Sequence, residues 1–284
     1  VCFAQRFHEN EFVVTVCSDQ FLACLSLQLC YHTCIQFLSL LHYKENRLPF
    51  LPWNEIETVL LDMDGTLLDL HYDNQFWLHH LPKRLAQIRG ISEAQSQREM
   101  TARYESVFGQ IQWYCLDYWA ESLEMDLENE FMPLKRELAH LLALRDDTIP
   151  FLDALHDSGR QVVLVTNAHP NSLALKIEHT QLDAHIDNLI STHEFGVTKE
   201  SQLLWERLQA RVKFDAHRTL FVDDSLPILN AAKTYGIKHL LAVDNPDSTL
   251  PNRNISEFPA VRDYRLMLED IKQSPVGTVS KGRF

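Results

Sequence analysis

The sequence predicts an α/β protein built on a doubly wound parallel sheet, with an all-helical module inserted into it. From Trp53 onward, short apolar runs alternate with helical patterns, as in repeated strand–helix units that pair in parallel. The runs are nearly continuous rather than alternating, as expected of strands covered on both faces. One interval, residues 72–145, has helical periodicity and no convincing strand.

The strands are read at Thr58–Leu61, Val162–Val165, Ile186–Ser191, Thr219–Val222 and His239–Val243. Helices fall between the later ones, at Pro150–Asp157, Asn171–Thr180, Ser201–Val212 and Pro227–Tyr235. Pro227 suits a first turn, and Gly159 and Gly236 suit helix C-termini. The interval 72–145 divides into three or four helices, with Ser92 and Gln95 forming a capping box and Gly109 a stop. The α/β core is therefore assigned to residues 53–71 and 146–272, the helical module to 72–145 and a flexible tail to 273–284. Residues 1–52 read as an atypical extension outside the fold, such as upstream sequence from a misplaced start.

Composition narrows the function. The chain has 284 residues, 45% hydrophobic and 23% charged, with 8 Gly and 11 Pro, which excludes collagenous and wholly disordered chains. Its 26 basic against 39 acidic side chains give a net charge of −13, the wrong sign for a nucleic-acid polymer or an anionic membrane as partner. Cys2, Cys17, Cys24, Cys30 and Cys34 crowd one end and only Cys115 lies later, which is neither a disulfide framework nor a zinc ribbon. Phe21 to Leu41 is uncharged but interrupted by polar residues such as Gln28, His32 and Gln36, a marginal span at best. Cytoplasm is the expected compartment. Cys115 is expected to be a buried, small apolar side chain.

The chemistry lies at the ends of the strand runs. The first ends in Asp62-Met63-Asp64-Gly65-Thr66, the second in Thr166-Asn167 and the fourth in Asp223-Asp224-Ser225, while Lys199 follows the third after a short loop. Ligands of open α/β sheets bind beyond the carboxyl ends of the strands, so these groups converge. Four carboxylates there require a cation, and oxygen donors without His or Cys favour Mg²⁺. An Asp carboxylate can act as a nucleophile on phosphorus. A second Asp two residues on, pointing the same way, can protonate the leaving oxygen and later activate water. A Lys and a Thr hydroxyl can hold phosphate oxygens. Taken singly, each motif is an ordinary turn, cap or surface residue. Their joint occurrence in this order carries the reading.

Asp62-Met-Asp-Gly-Thr66, Thr166, Lys199 and Asp223-Asp-Ser225 resemble the four motifs of the haloacid-dehalogenase-like hydrolases, over Trp53 to about Tyr264. The resemblance implies that Asp62 is the nucleophile and Asp64 the acid/base. It further implies that Thr166, Asn167 and Lys199 hold phosphate, and that Mg²⁺ binds Asp62, the Asp64 backbone carbonyl and Asp224, with Asp223 close by. The helical module resembles the family's cap. Where many relatives carry Asp or Asn four residues after Asp224, this chain has Ile228. The presence of Asp64 argues for phosphoryl chemistry over dehalogenation. The overall pattern is most similar to bacterial nucleotidases acting on GMP and IMP, which implies hydrolysis of small phosphomonoesters, specifically purine ribonucleoside 5′-monophosphates. The alternatives are a phosphosugar phosphatase or phosphomutase, or a non-hydrolytic binding protein on the same fold. In the module, Trp113 and Tyr114 are read as packing, and Lys83, Arg84, Arg98 and Arg103 as solvated faces.

Overall fold

A computed structural model gives the structure of the chain over residues 51–277. Six parallel strands run in the order β3-β2-β1-β4-β5-β6. They are β1 (Thr58–Leu61), β2 (Gln161–Thr166), β3 (Asn188–Ser191), β4 (Thr219–Asp223), β5 (His239–Val243) and β6 (Ala260–Val261). The third strand starts at Asn188 rather than Ile186, because Ile186 still closes the preceding turn on Asp183. The two-residue edge strand β6 was not foreseen.

Side chains of a strand alternate between faces, and the continuous apolar runs feed two cores. Val59, Leu61, Val162, Leu164, Leu220, Val222, Leu241 and Val243 pack with Phe151, Leu155 and Tyr264. Leu60, Val163, Val165, Phe221 and Leu240 pack on the other face with Leu204, Trp205, Leu208 and Leu229.

The insertion leaves and re-enters the sheet domain through two adjacent linkers, joined by Asp69 N–H to Ala143 O at 3.0 Å and Arg145 N–H to Leu67 O at 3.0 Å. It comprises α1 (71–89, with a π-helical turn at Phe76–His80), α2 (Glu93–Val107), α3 (Ile111–Tyr114), α4 (Leu116–Leu123) and α5 (127–137). Ser92 Oγ accepts the Gln95 N–H at 3.2 Å, while the Gln95 side chain turns to Glu99 instead of closing the box. Tyr72, Phe76, Met100, Trp119 and Phe131 give the insertion its own core. The remaining helices are α6 (Thr148–Asp157), α7 (Pro170–Thr180), α8 (Gln202–Val212), α9 (Leu226–Tyr235) and α10 (Leu268–Lys272).

Two boundaries need correction. Residues 1–50, with most of the expected extension and the uncharged stretch Phe21–Leu41, lie outside the described residues. Leu51 and Pro52, assigned to that extension, belong to the fold: Leu51 is buried in the first core and Pro52 O accepts the Glu55 N–H. The first residues of the expected tail are also tied down, with Val276 N–H donating to Ser158 O at 2.8 Å; residues 278–284 lie outside. Among the described residues, no helix is long and apolar enough to cross a membrane.

Arg160 fastens both of these chain segments. Its guanidinium is buried and donates to Trp53 O at 2.5 Å, Ile56 O at 3.1 Å, Ser158 Oγ at 2.6 Å and Ser274 O at 2.7 Å. Arg160→Met strands these acceptors and is expected to cost about 3 kcal/mol, measured by urea denaturation; a loss below 1 kcal/mol would contradict this role.

Candidate active site

The parallel register decides what meets at the sheet's carboxyl edge. Leu61 lies beside both Leu164 and Val222, and Thr166 beside Ser191. The next residues along β1 and β4, Asp62 and Asp223, are therefore neighbours, and Asp62 N–H donates to Val222 O at 3.0 Å.

Lys199 bridges them. Its buried Nζ lies 2.5 Å from Asp62 Oδ1 and 2.7 Å from Asp223 Oδ2. Burial works against the ammonium, but the two carboxylates outweigh it and hold its pKa above the usual lysine value. Thr66 Oγ1 donates to the other oxygen of Asp62 at 3.1 Å. Asn167 positions the lysine, its Oδ1 accepting the Lys199 N–H at 3.0 Å and the Thr192 hydroxyl at 2.9 Å. Thr166 is buried at the end of β2 and accepts the Ala168 N–H at 3.0 Å.

Gly65 makes the turn after β1 possible. Its φ is +83°, and a Cβ there would stand 2.9 Å from Pro246 Cβ and 3.0 Å from the Asp224 carboxyl carbon. Only glycine combines that conformation with that approach.

Asp62, Asp223 and Asp224 each offer a carboxylate oxygen within 4.8 Å of the others. Burial and the charge of Asp62 push the Asp224 carboxyl up to about 7, against the opposing pull of Arg253 3.5 Å away. Burial likewise holds Asp223 well above the usual range. These are hard oxygen donors short of positive charge, and they fit a Mg²⁺ ion. The Asp64 carboxylate is not in this cluster. It lies 2.6 Å from Lys176 Nζ, and burial pushes its pKa up to about 6.

Lys176, Asp73 and Lys135 escaped the sequence reading. Buried Lys176 bridges Asp64 and, at 2.6 Å, Asp73 of α1. Lys135 Nζ lies 3.8 Å from Asp73, makes no hydrogen bond among the described residues and faces the rings of Tyr72, Phe76 and Trp77 at 5.1, 4.2 and 5.2 Å. A signal existed: Lys176 follows Leu173 by three positions, and Lys135 follows Phe131 by four, so each lysine lies on an apolar helical stripe.

Asp62, Asp64, Thr166, Asn167, Lys199, Asp223 and Asp224 all line one cavity of about 300 Å³. Trp77, Tyr104, Trp113 and Tyr114 of the insertion line the same cavity. Trp113 and Tyr114 therefore do more than pack within the insertion, as the sequence reading had them. Tyr114 OH donates to Glu200 at 3.1 Å, which joins the insertion to the Lys199 loop. Cys115 departs from expectation too: it is half-buried, beside His169 and His193.

A family model of haloacid dehalogenase-like hydrolases matches residues 56–236. The chain belongs to that family. This hydrolase is 45% identical over 221 residues to the GMP/IMP nucleotidase YrfG of Escherichia coli (strain K12), covering 78% of this chain and 98% of that one. It is 24% identical over 191 residues to an (S)-2-haloacid dehalogenase 2 of a Pseudomonas species, covering 65% and 82% respectively. Among solved structures it is similar to a HAD phosphatase from Thermococcus onnurineus, with a TM-score of 0.65 at 21% identity, covering 78% of this chain and all of that one.

The environment of Lys135 generates a pH prediction. Burial lowers its pKa from 10.5 to about 8, partly offset by Asp73. The folded state thus binds the proton less tightly than the unfolded state, so the strain of the buried charge is full below pH 8 and is relieved as pH rises toward 10.5. Lys135→Met is expected to stabilise the hydrolase at pH 7 by up to about 3 kcal/mol, an advantage that shrinks by pH 10. Denaturant midpoints at the two pH values check it; a pH-independent difference would be the contrary result.

Proposed function

We propose that this hydrolase is a Mg²⁺-dependent 5′-nucleotidase of the cytoplasm, releasing phosphate from purine ribonucleoside monophosphates such as GMP and IMP. The observation that carries the reading is the cavity itself. A carboxylate flanked by Lys199 and Thr66 shares it with four aromatic rings of the insertion. Bases stack on aromatic rings, so one cavity offers groups for a phosphate and rings for a base. The identity to an enzyme named for GMP and IMP supports the same substrates.

In this reading Asp62 attacks phosphorus, forming a P–O bond as the bond to the leaving nucleoside oxygen breaks. Asp64, with its pKa raised toward neutrality, gives its proton to that oxygen. In the second half Asp64 takes a proton from water, whose oxygen attacks the aspartyl-phosphate, and the bond to Asp62 breaks. Lys199 and Thr166 hold phosphate oxygens, and Asn167 holds Lys199 in place. Asp62, the Asp64 carbonyl and Asp224 would ligate Mg²⁺, with Asp223 adjoining; when bound, the ion supplies neutralising charge for the phosphoryl oxygens. The insertion acts as a cap that closes over the substrate from its paired linkers.

Phosphate release from GMP, IMP, AMP, pyrimidine monophosphates and sugar phosphates, with Mg²⁺ and with EDTA, tests this. Mg²⁺-dependent preference for GMP and IMP is expected; preference for sugar phosphates would discard the substrate, and no release the activity. Asp62→Asn is expected to lower kcat by about 10³-fold or more while circular dichroism is unchanged. An active variant would sink the nucleophile assignment.

A further inference from the structure

Cys115, His169 and His193 take no part in the chemistry above, yet three separate parts of the chain bring them together. Cys115 precedes α4, His169 caps α7 and His193 lies in the turn Thr192–Phe195 after β3. Each offers one ligand atom, and the three atoms lie within 4.8 Å of one another. The two imidazole rings meet edge to face, their centroids 5.1 Å apart.

His193 Nε2 is buried and has no hydrogen-bond partner among the described residues. A buried polar nitrogen left unpaired is costly, and an apolar side chain would serve packing better. Burial and the neighbouring His169 lower the His193 pKa, opposed in part by the Asn167 backbone and Asp117. Asp117 follows Cys115 by two residues, and its Oδ2 lies 3.0 Å from His169 Nε2. Its side chain is 67% exposed.

We propose that Cys115, His169 and His193 form a second metal site, for a zinc-class divalent cation, with Asp117 as the fourth donor. One thiolate, two imidazoles and a carboxylate suit tetrahedral Zn²⁺ and suit Mg²⁺ poorly. Donor atoms in such a site stand about 3.4 Å apart, so the cluster closes on an ion with shifts of roughly 1 Å. The Cys115 thiol loses its proton to solvent as the sulfur–metal bond forms. His169 Nδ1 accepts the Asn171 N–H at 3.2 Å, which puts the ring proton on Nε2. Coordination through Nε2 moves that proton to Nδ1 and releases the Asn171 contact. Cys115 and Asp117 stand on the cap and both histidines on the sheet domain, so the ion ties the two together beside Thr166 and Asn167.

The test uses the full chain and Co²⁺ as a coloured stand-in for Zn²⁺. Changing Cys2, Cys17, Cys24, Cys30 and Cys34 to Ser leaves Cys115 as the one thiol. One equivalent of Co²⁺ is expected to produce a thiolate-to-cobalt charge-transfer band that Zn²⁺ abolishes and excess Mg²⁺ does not. Cys115→Ser in this background removes the band, and His193→Ala weakens cobalt binding by about tenfold or more. In the unaltered chain, Zn²⁺ is expected to protect Cys115 from alkylation, read by peptide mass spectrometry, so the result does not hang on any variant's folding. A missing band, a band that survives Cys115→Ser, or an unprotected Cys115 would each overturn the proposal.

Discussion

The buried ammonium of Lys199 is the constraint on which the site depends. Parallel pairing of β1 with β4 forces Asp62 and Asp223 together at the sheet edge, where two unscreened carboxylates could not both stay ionised. Lys199 offsets that repulsion, and its backbone is held in place by Asn167, which is held in turn by Thr192 beyond β3. Four strand ends are thereby locked to one charge. Such a buried pair is weak evidence for stability, since desolvation consumes most of the attraction. What it gives is a carboxylate fixed by a cation at the lining of a cavity. The same arithmetic explains the neighbouring cluster, because one lysine and a half-exposed Arg253 do not neutralise Asp62, Asp223 and Asp224.

Much of this was legible in the sequence because strand-end chemistry is local. Asp62-Met-Asp-Gly-Thr66 and Asp223-Asp224 each sit directly behind an apolar run, so finding the strand finds the residues. The five runs were recognisable because both faces of each strand are buried. Strand β6 has only Ala260 and Val261, too short a run to register, and is a strand because β5 offers it an edge. Lys176 and Lys135 were missed for a different reason. Lysine is ordinarily a surface residue, and only its position on an apolar stripe distinguishes a buried one. Leu51 and Ser274 were assigned outside the fold because nothing local shows that Arg160, more than a hundred residues away from each, reaches the backbone on both sides of them.

The line of alternating charges from Asp64 through Lys176 and Asp73 to Lys135 couples the insertion to the sheet domain. Asp64 and Lys176 belong to the sheet domain, whereas Asp73 and Lys135 ride on the insertion. With the two apposed, Asp73 shares Lys176 and adds its own negative charge, and both effects raise the proton affinity of Asp64. Burial under the insertion raises it further. If the insertion acts as the cap proposed above, moving it away would carry Asp73 and Lys135 off together and leave Lys176 undivided on a better-hydrated Asp64, which would lower its pKa. In the proposed mechanism the proton given to the leaving oxygen would then be held most firmly when the cavity is covered and water is excluded. Linkers 67–69 and 143–145 are paired by backbone hydrogen bonds, so the charges of Asp73 and Lys135 reach Asp64 from an insertion joined to the sheet domain at one double-stranded connection.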